Sequence, residues 1–153
     1  MVGACSLCPD CGDSGPVFDA LTEADKYGST LSKKQEISLL LQAIKKSKSP
    51  TKERDWEGVT PLYYTASTGE YQKCRILLDA GADPIMTSRI QIPTTPIHVA
   101  AARNNLSIVR LMLSRMGGIE KPVRDPIHGT TLAEAAEKAK ANEAARWLRV
   151  HGY

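Results

Sequence analysis

TPIHVAAA, Thr95 to Ala102, sets a threonine and a proline directly ahead of an apolar run. A threonine hydroxyl can accept a hydrogen bond from a free amide of a helix's first turn, and proline at the first helical position sacrifices no bond the helix could have made. The stretch predicts a helix beginning at Pro96 with Thr95 as its cap. TPLYYTA starts 35 residues earlier at Thr60, and TTLAEAA starts 35 residues later at Thr130. Such an interval, carried by matching residue types, predicts a stacked repeat.

In that register the aligned positions are Leu62/Ile97/Leu132, Thr65/Ala100/Ala135, Ala66/Ala101/Ala136, Cys74/Val109/Ala144, Leu77/Met112/Trp147 and Leu78/Leu113/Leu148. Small residues fall where backbones could approach closely, and large apolar residues recur about one helical turn apart, so each helix offers one stripe for burial. Gly69 ends the first helix of the first unit, a second runs from about Tyr71 to Ala80, and Gly81 with Pro84 stops it. The unit reads helix, tight turn, helix, extended loop.

The first unit, DWEGVTPLYYTASTGEYQKCRILLDAGADP from Asp55 to Pro84, resembles the ankyrin repeat in its D-x-x-G-x-T-P-L opening, mid-repeat glycine, paired leucines and final G-A-D. The second is similar through its helices, with His98 where the family commonly has histidine, but Ile90 and Pro93 replace the loop aspartate and glycine. The third keeps Asp125, with Gly129 displaced by one residue and Thr131 in place of the proline. The resemblance implies an all-α solenoid of helix-turn-helix units with projecting hairpin loops. It places three repeats at about 55–89, 90–124 and 125–153, with extra loop length because the family period is about 33 residues.

Upstream, SKKQEISLLLQAIKKS, Ser32 to Ser47, has a capping-box pair in Ser32 and Gln35, and Ile37, Leu40, Leu41 and Ile44 at helical spacing. With PVFDALTEADKY, Pro16 to Tyr27, it is expected to form a degenerate N-terminal repeat or cap, so that 16–54 covers the cap and a basic linker and 1–15 is a flexible cysteine-containing tail. At the other end, Arg146 stands where Ile76 and Leu111 stood in this register, as expected for a terminal unit with a polar outer face that completes the stack.

The chain of 153 residues has a net charge of +3, too slight to suggest nucleic acid. No apolar run approaches the roughly 20 residues of a membrane span, and the start lacks the basic and apolar regions of a secretory signal. A monomer in a reducing compartment is expected, cytoplasmic with the nucleus also open to it. The basic stretch KKSKSPTKER, Lys45 to Arg54, reads as a solvated linker. The alternatives are a nuclear localisation element and modification at Ser49-Pro50.

Cys5, Cys8 and Cys11 form C-x2-C-x2-C. The spacing could aim three thiolates at one zinc, but no fourth ligand follows where such sites need one. The expectation is therefore no cofactor, with zinc as the alternative these thiols leave open. Cys74 reads as a small buried residue. None of His98, His128 or His151 is brought beside a nucleophile by the repeat register, so catalysis is not expected.

Two functional classes are left. The ankyrin resemblance implies a protein-binding module or adaptor with a protein partner, using a concave face and hairpin tips. The alternative is a metal- or redox-responsive regulator acting through the cysteine tail. Carried over from the family, the tip residues are Trp56, Glu57 and Val59, then Gln91, Ile92 and Thr94, then Pro126 and Ile127. Along the first helices Ser67 and Thr68, Ala102 and Arg103, and Glu137 and Lys138 are expected to face the same hollow.

Overall fold

The computed structural model describes residues 15–26, 32–55, 57–88, 94–117 and 123–153. Among them are eight helices: α1 (Pro16–Lys26), α2 (Lys33–Lys46), α3 (Pro61–Thr68), α4 (Tyr71–Asp79), α5 (Pro96–Ala102), α6 (Leu106–Met116), α7 (Leu132–Lys138) and α8 (Asn142–Val150). Among the described residues there is no strand, only an isolated bridge between Arg124 and Thr131, and no helix long and apolar enough to cross a membrane. The fold is an all-α ankyrin-type solenoid. Helices α3, α5 and α7 form a closely packed inner row, while α4, α6 and α8 meet more lightly as an outer row.

Each inner helix starts as the threonine-led stretches dictate. Thr60 accepts from the Tyr63 amide at 3.2 Å and Thr95 from the His98 amide at 3.5 Å. In the third unit the cap is Thr131, not Thr130. Its hydroxyl accepts from the Glu134 amide at 3.2 Å while the Glu134 carboxylate accepts from the Thr131 amide at 2.8 Å, a complete capping box.

That shift corrects the register of the third unit by one residue. The turns closing the inner helices agree: Glu70 donates to Thr65, Asn105 to Ala100, and Ala141 to Ala136. Their left-handed residues are Gly69, Asn104 and Lys140, with φ of 82°, 60° and 60°. Glycine takes this conformation without cost and asparagine tolerates it, whereas lysine there is uncommon. The extra residue lies in the loop between Asp125 and Thr131. Gly129, two residues before its cap threonine and with φ of 65°, corresponds to Gly58, φ 76°, two residues before Thr60. Gly129 is therefore displaced from Asp125 but not from the helix.

Burial fits the corrected register. Leu77, Met112 and Leu148 now align, all with 0% exposure. Trp147 joins Ile76 and Leu111, all half-buried, and Arg146 joins exposed Arg75 and Arg110. The polar face of the third unit therefore comes not from Arg146 but from Glu137, aligned with buried Ala66 and Ala101, and from Arg149, aligned with Leu78 and Leu113. Glu137 and Arg149 are ion-paired.

Helices α1 and α2 pack against each other, α1 also touching α3 and α2 touching α4, so the pair stands in the place of a preceding unit. Ser32 and Gln35 form the expected capping box. Val17, Phe18, Leu21, Leu40 and Ala43 are buried, whereas Leu41 is 43% exposed. The Glu53 carboxylate accepts from the Val17 amide at 3.0 Å and from the Ser47 hydroxyl, tying the linker to the start of α1. Cys74 is fully buried with Sγ 3.3 Å from Thr65 Oγ1. Burial pushes its thiol pKa up to about 11, which keeps it protonated and unreactive.

Candidate partner-binding surface

The loops leading into the inner helices are shaped by aspartates. Asp55 Oδ1 accepts from the Glu57 amide at 3.0 Å and the Val59 amide at 2.8 Å. Asp125 Oδ1 repeats the arrangement with Ile127 at 2.9 Å and His128 at 2.8 Å. Burial alone would raise the Asp125 pKa, but the amides of His128 and Ile127 outweigh it and hold the carboxylate below its ordinary value. The second approach loop lacks such an aspartate. There Ser88 donates to the Thr94 carbonyl through both its amide and its hydroxyl, each at 2.9 Å.

His98 links one unit to the next. It is buried, with Nδ1 2.7 Å from Thr95 Oγ1 and Nε2 3.1 Å from the Thr130 carbonyl. Burial lowers its pKa, against the opposing pull of the Thr130 carbonyl and Asp125. The neutral ring is thus the folded form, and its contribution is complete above the ordinary histidine value of about 6.5 and lost as pH falls below it. His98→Leu is expected to cost about 1 to 3 kcal/mol, because two buried hydrogen bonds of the ring are lost, to Thr95 and to Thr130, although the Thr130 carbonyl keeps the Asp125 amide at 2.8 Å. Urea unfolding at pH 7.5 and pH 5.5 should also show a smaller acid loss in the variant than in the parent.

Between α5 and α7 lies a shallow groove lined by Thr94, Val99, Ala102, His128, Ala135 and Lys138. Its floor is apolar, and Lys138 gives it a cationic edge. Arg103 is exposed at the end of α5; burial raises the Tyr63 hydroxyl pKa, and the Arg103 charge opposes that rise without reversing it. The inner row therefore carries the exposed cations Arg103 and Lys138, with the exposed carboxylate of Glu134 one turn before Lys138.

Of the residues expected at this surface, Glu57, Thr68, Arg103, Pro126, Ile127 and Lys138 are exposed, Ile127 to 55%, and Ser67, Ala102 and Thr94 are half-buried. The hydroxyls of Ser67 and Thr68 are bonded to the Tyr64 carbonyl at 2.8 and 3.2 Å. Val59 is a correction. It is only 6% exposed, because the hydrogen bonds to Asp55 fold the end of the loop back onto the core. Glu137 is a second, since the shifted register aligns it with Ala66 and Ala101 and Arg149 engages it. Trp56, Gln91, Ile92 and the thiols of Cys5, Cys8 and Cys11 lie outside the described residues.

Val99, His128 and Ala135 were not anticipated. Val99 and Ala135 each precede a recognised groove residue, Ala102 and Lys138, by three positions, so helical spacing could have found them. His128 becomes visible only once the loop insertion is located. Among the described residues no group of three or more His, Cys, Asp or Glu side chains could hold a metal.

The family model of the ankyrin repeat matches residues 94–123. Over 88 residues the chain is 36% identical to the ankyrin repeat and KH domain-containing protein mask of Drosophila melanogaster, covering 55% of this chain and 2% of that protein. Over 87 residues it is 31% identical to a transient receptor potential cation channel subfamily A member 1 homolog of Caenorhabditis elegans, covering 55% of this chain and 7% of that protein. The chain thus corresponds to a small part of each of these relatives.

Proposed function

We propose that this ankyrin-repeat chain is a non-catalytic protein-binding module or adaptor, monomeric on its own, that meets a protein partner through its inner helices and loop tips. Ankyrin repeats serve generally as protein-protein interaction modules, and both relatives carry the similarity within much larger proteins. The observation that carries the reading is the groove between α5 and α7, whose small floor of Ala102 and Ala135 leaves room for a partner's side chains. Arg103 and Lys138 stand exposed along the same row. Arginine at an interface offers several hydrogen bonds with a planar, preorganised head, which is why it recurs among interface anchors. The cytoplasm is the proposed compartment, with the nucleus as a second.

Affinity purification with cross-linking identifies the partner, after which calorimetry on purified proteins tests the surface. Arg103→Ala and Lys138→Ala are expected to weaken binding by about 1 to 3 kcal/mol each, with unchanged circular dichroism. Unaltered affinity in both variants would remove the inner row from the interface. The alternative regulator acts through thiols outside the described residues, and elemental analysis for zinc on the purified chain separates the two readings.

A further inference from the structure

We infer that the outer helices form a second docking surface, distinct from the inner groove, whose partner is a protein segment bearing acidic residues with apolar residues between them. The corrected register places Arg75, Arg110 and Arg146 at equivalent positions of α4, α6 and α8, all exposed. Equivalent positions of stacked units form rows, so these arginines run across the solenoid in a line. The next position gives a parallel row of Ile76, Leu111 and Trp147, half-buried and resting on the core.

Charge on this side is lopsided. Arg115 is also exposed, while Arg149 is taken up by Glu137 and the carboxylates of the three helices are Asp79 and Glu143. Asp79 is already held by Arg115 at 2.6 Å, with Arg75 at 4.0 Å. Arg110 sits 5.4 Å above the Trp147 ring, against which His151 stacks at 4.0 Å, so the indole is fixed as a platform. Because the outer helices meet lightly, a groove opens along α8, lined by Leu106, Arg146, Trp147 and Val150, the last 78% exposed.

Neighbouring packed helices stand about 8 to 10 Å apart, and a polyproline II segment advances about 3.1 Å per residue with about three residues per turn, so side chains three apart share one face at about 9 Å. Carboxylates three residues apart on such a segment would therefore meet successive arginines while an apolar side chain between them lies on the Ile76 row. A nucleic-acid backbone would satisfy the arginines but leave that apolar row uncovered. A protein segment satisfies both.

The test is selection of a random-peptide phage library on the immobilised chain, in parallel with the Arg75→Ser/Arg110→Ser/Arg146→Ser and Arg103→Ala/Lys138→Ala variants. The expected pool is rich in Asp and Glu about three apart with apolar residues between. Its retention should fall about tenfold on the triple variant and stay unchanged on the inner-row variant. Retention on the parent should also weaken as salt rises from about 0.05 to 0.5 M, a readout independent of any variant's folding. Absence of acidic enrichment, insensitivity to salt, or equal retention on a folded triple variant overturns the proposal. A pool lost instead on the inner-row variant belongs to the inner groove and also overturns it. So does sedimentation with phosphatidylserine vesicles in the absence of peptide enrichment, which would assign the row to a membrane.

Discussion

Ala101→Glu is expected to abolish the cooperative fold, whereas Glu137→Ala should leave the melting temperature within a few degrees of the parent. Both positions belong to one column of the stack. Ala66 and Ala101 have 0% exposure, and units are tied across that face: the Asn105 side chain donates to the Ala66 carbonyl at 2.9 Å, and Asn104 accepts from the Ala144 amide at 2.9 Å. A carboxylate at Ala101 would be forced into this contact without a partner. The several kcal/mol that an unpaired buried charge costs is comparable to the whole stability of a small domain. Glu137, in the same column, is exposed and ion-paired, and an exposed pair contributes about 1 kcal/mol or less. Circular dichroism melts and size-exclusion profiles of the two variants measure the contrast. Equal melts would mean that the third unit does not stack with Thr131 in register with Thr95.

Nearly as large an effect is expected where the N-terminal pair meets the first repeat. Lys73 is the charged member of a column whose other members are Ile108 and Ala144. Its ammonium lies 3.1 Å from Glu36 of α2 and 2.6 Å from Glu70, with the lysine side chain 8% exposed. Glu36→Gln/Glu70→Gln keeps the shape but leaves a buried cation without a counter-charge, and should cost about 3 kcal/mol, the lower end for a broken buried pair because Glu70 is partly open to water. Lys73→Met/Glu36→Gln/Glu70→Gln, which removes all three charges and retains the volume, should be close to neutral. Chemical denaturation at pH 7 distinguishes them, and equal losses would mean that packing, not charge, decides this contact. Burial alone would lower the Lys73 pKa, but Glu70 and Glu36 outweigh it and the net shift is upward. The clamp's contribution is therefore complete below the ordinary lysine value of about 10.4 and is lost as pH climbs through the raised one.

The helix starts at Pro61 and Pro96 were legible because threonine followed by proline has one good use at that point of a chain. The third unit misled for a physical reason. Its inner helix is built from Leu132, Ala133, Ala135 and Ala136, and alanine fits a close helix contact in either of two adjacent registers, so residue character could not choose between them. The choice lay in Thr131 and Glu134, a capping box readable from the sequence once the fixed interval is set aside. At the surface, Arg103, Lys138 and Ile127 project as their places in the unit suggest. Val59 does not, because being next to a loop tip says nothing about which way the backbone turns, and the Asp55 carboxylate turns it inward. The arginine row was hidden for the same reason as the register, since an offset of one residue had set Arg146 against Ile76 and Leu111.

The additional residue between Asp125 and Thr131 is absorbed without disturbing the spacing from Gly129 to the cap. Length is thus free to vary just after the aspartate, at Pro126, Ile127 and His128, all exposed. Because the cost of closing a loop rises only slowly with its length, insertions there change what the molecule displays while the packing problem stays solved. Diversification of the tips and maintenance of the core are therefore nearly independent traits in this chain. Descendants of one scaffold can part company in what they bind long before they differ in how they fold.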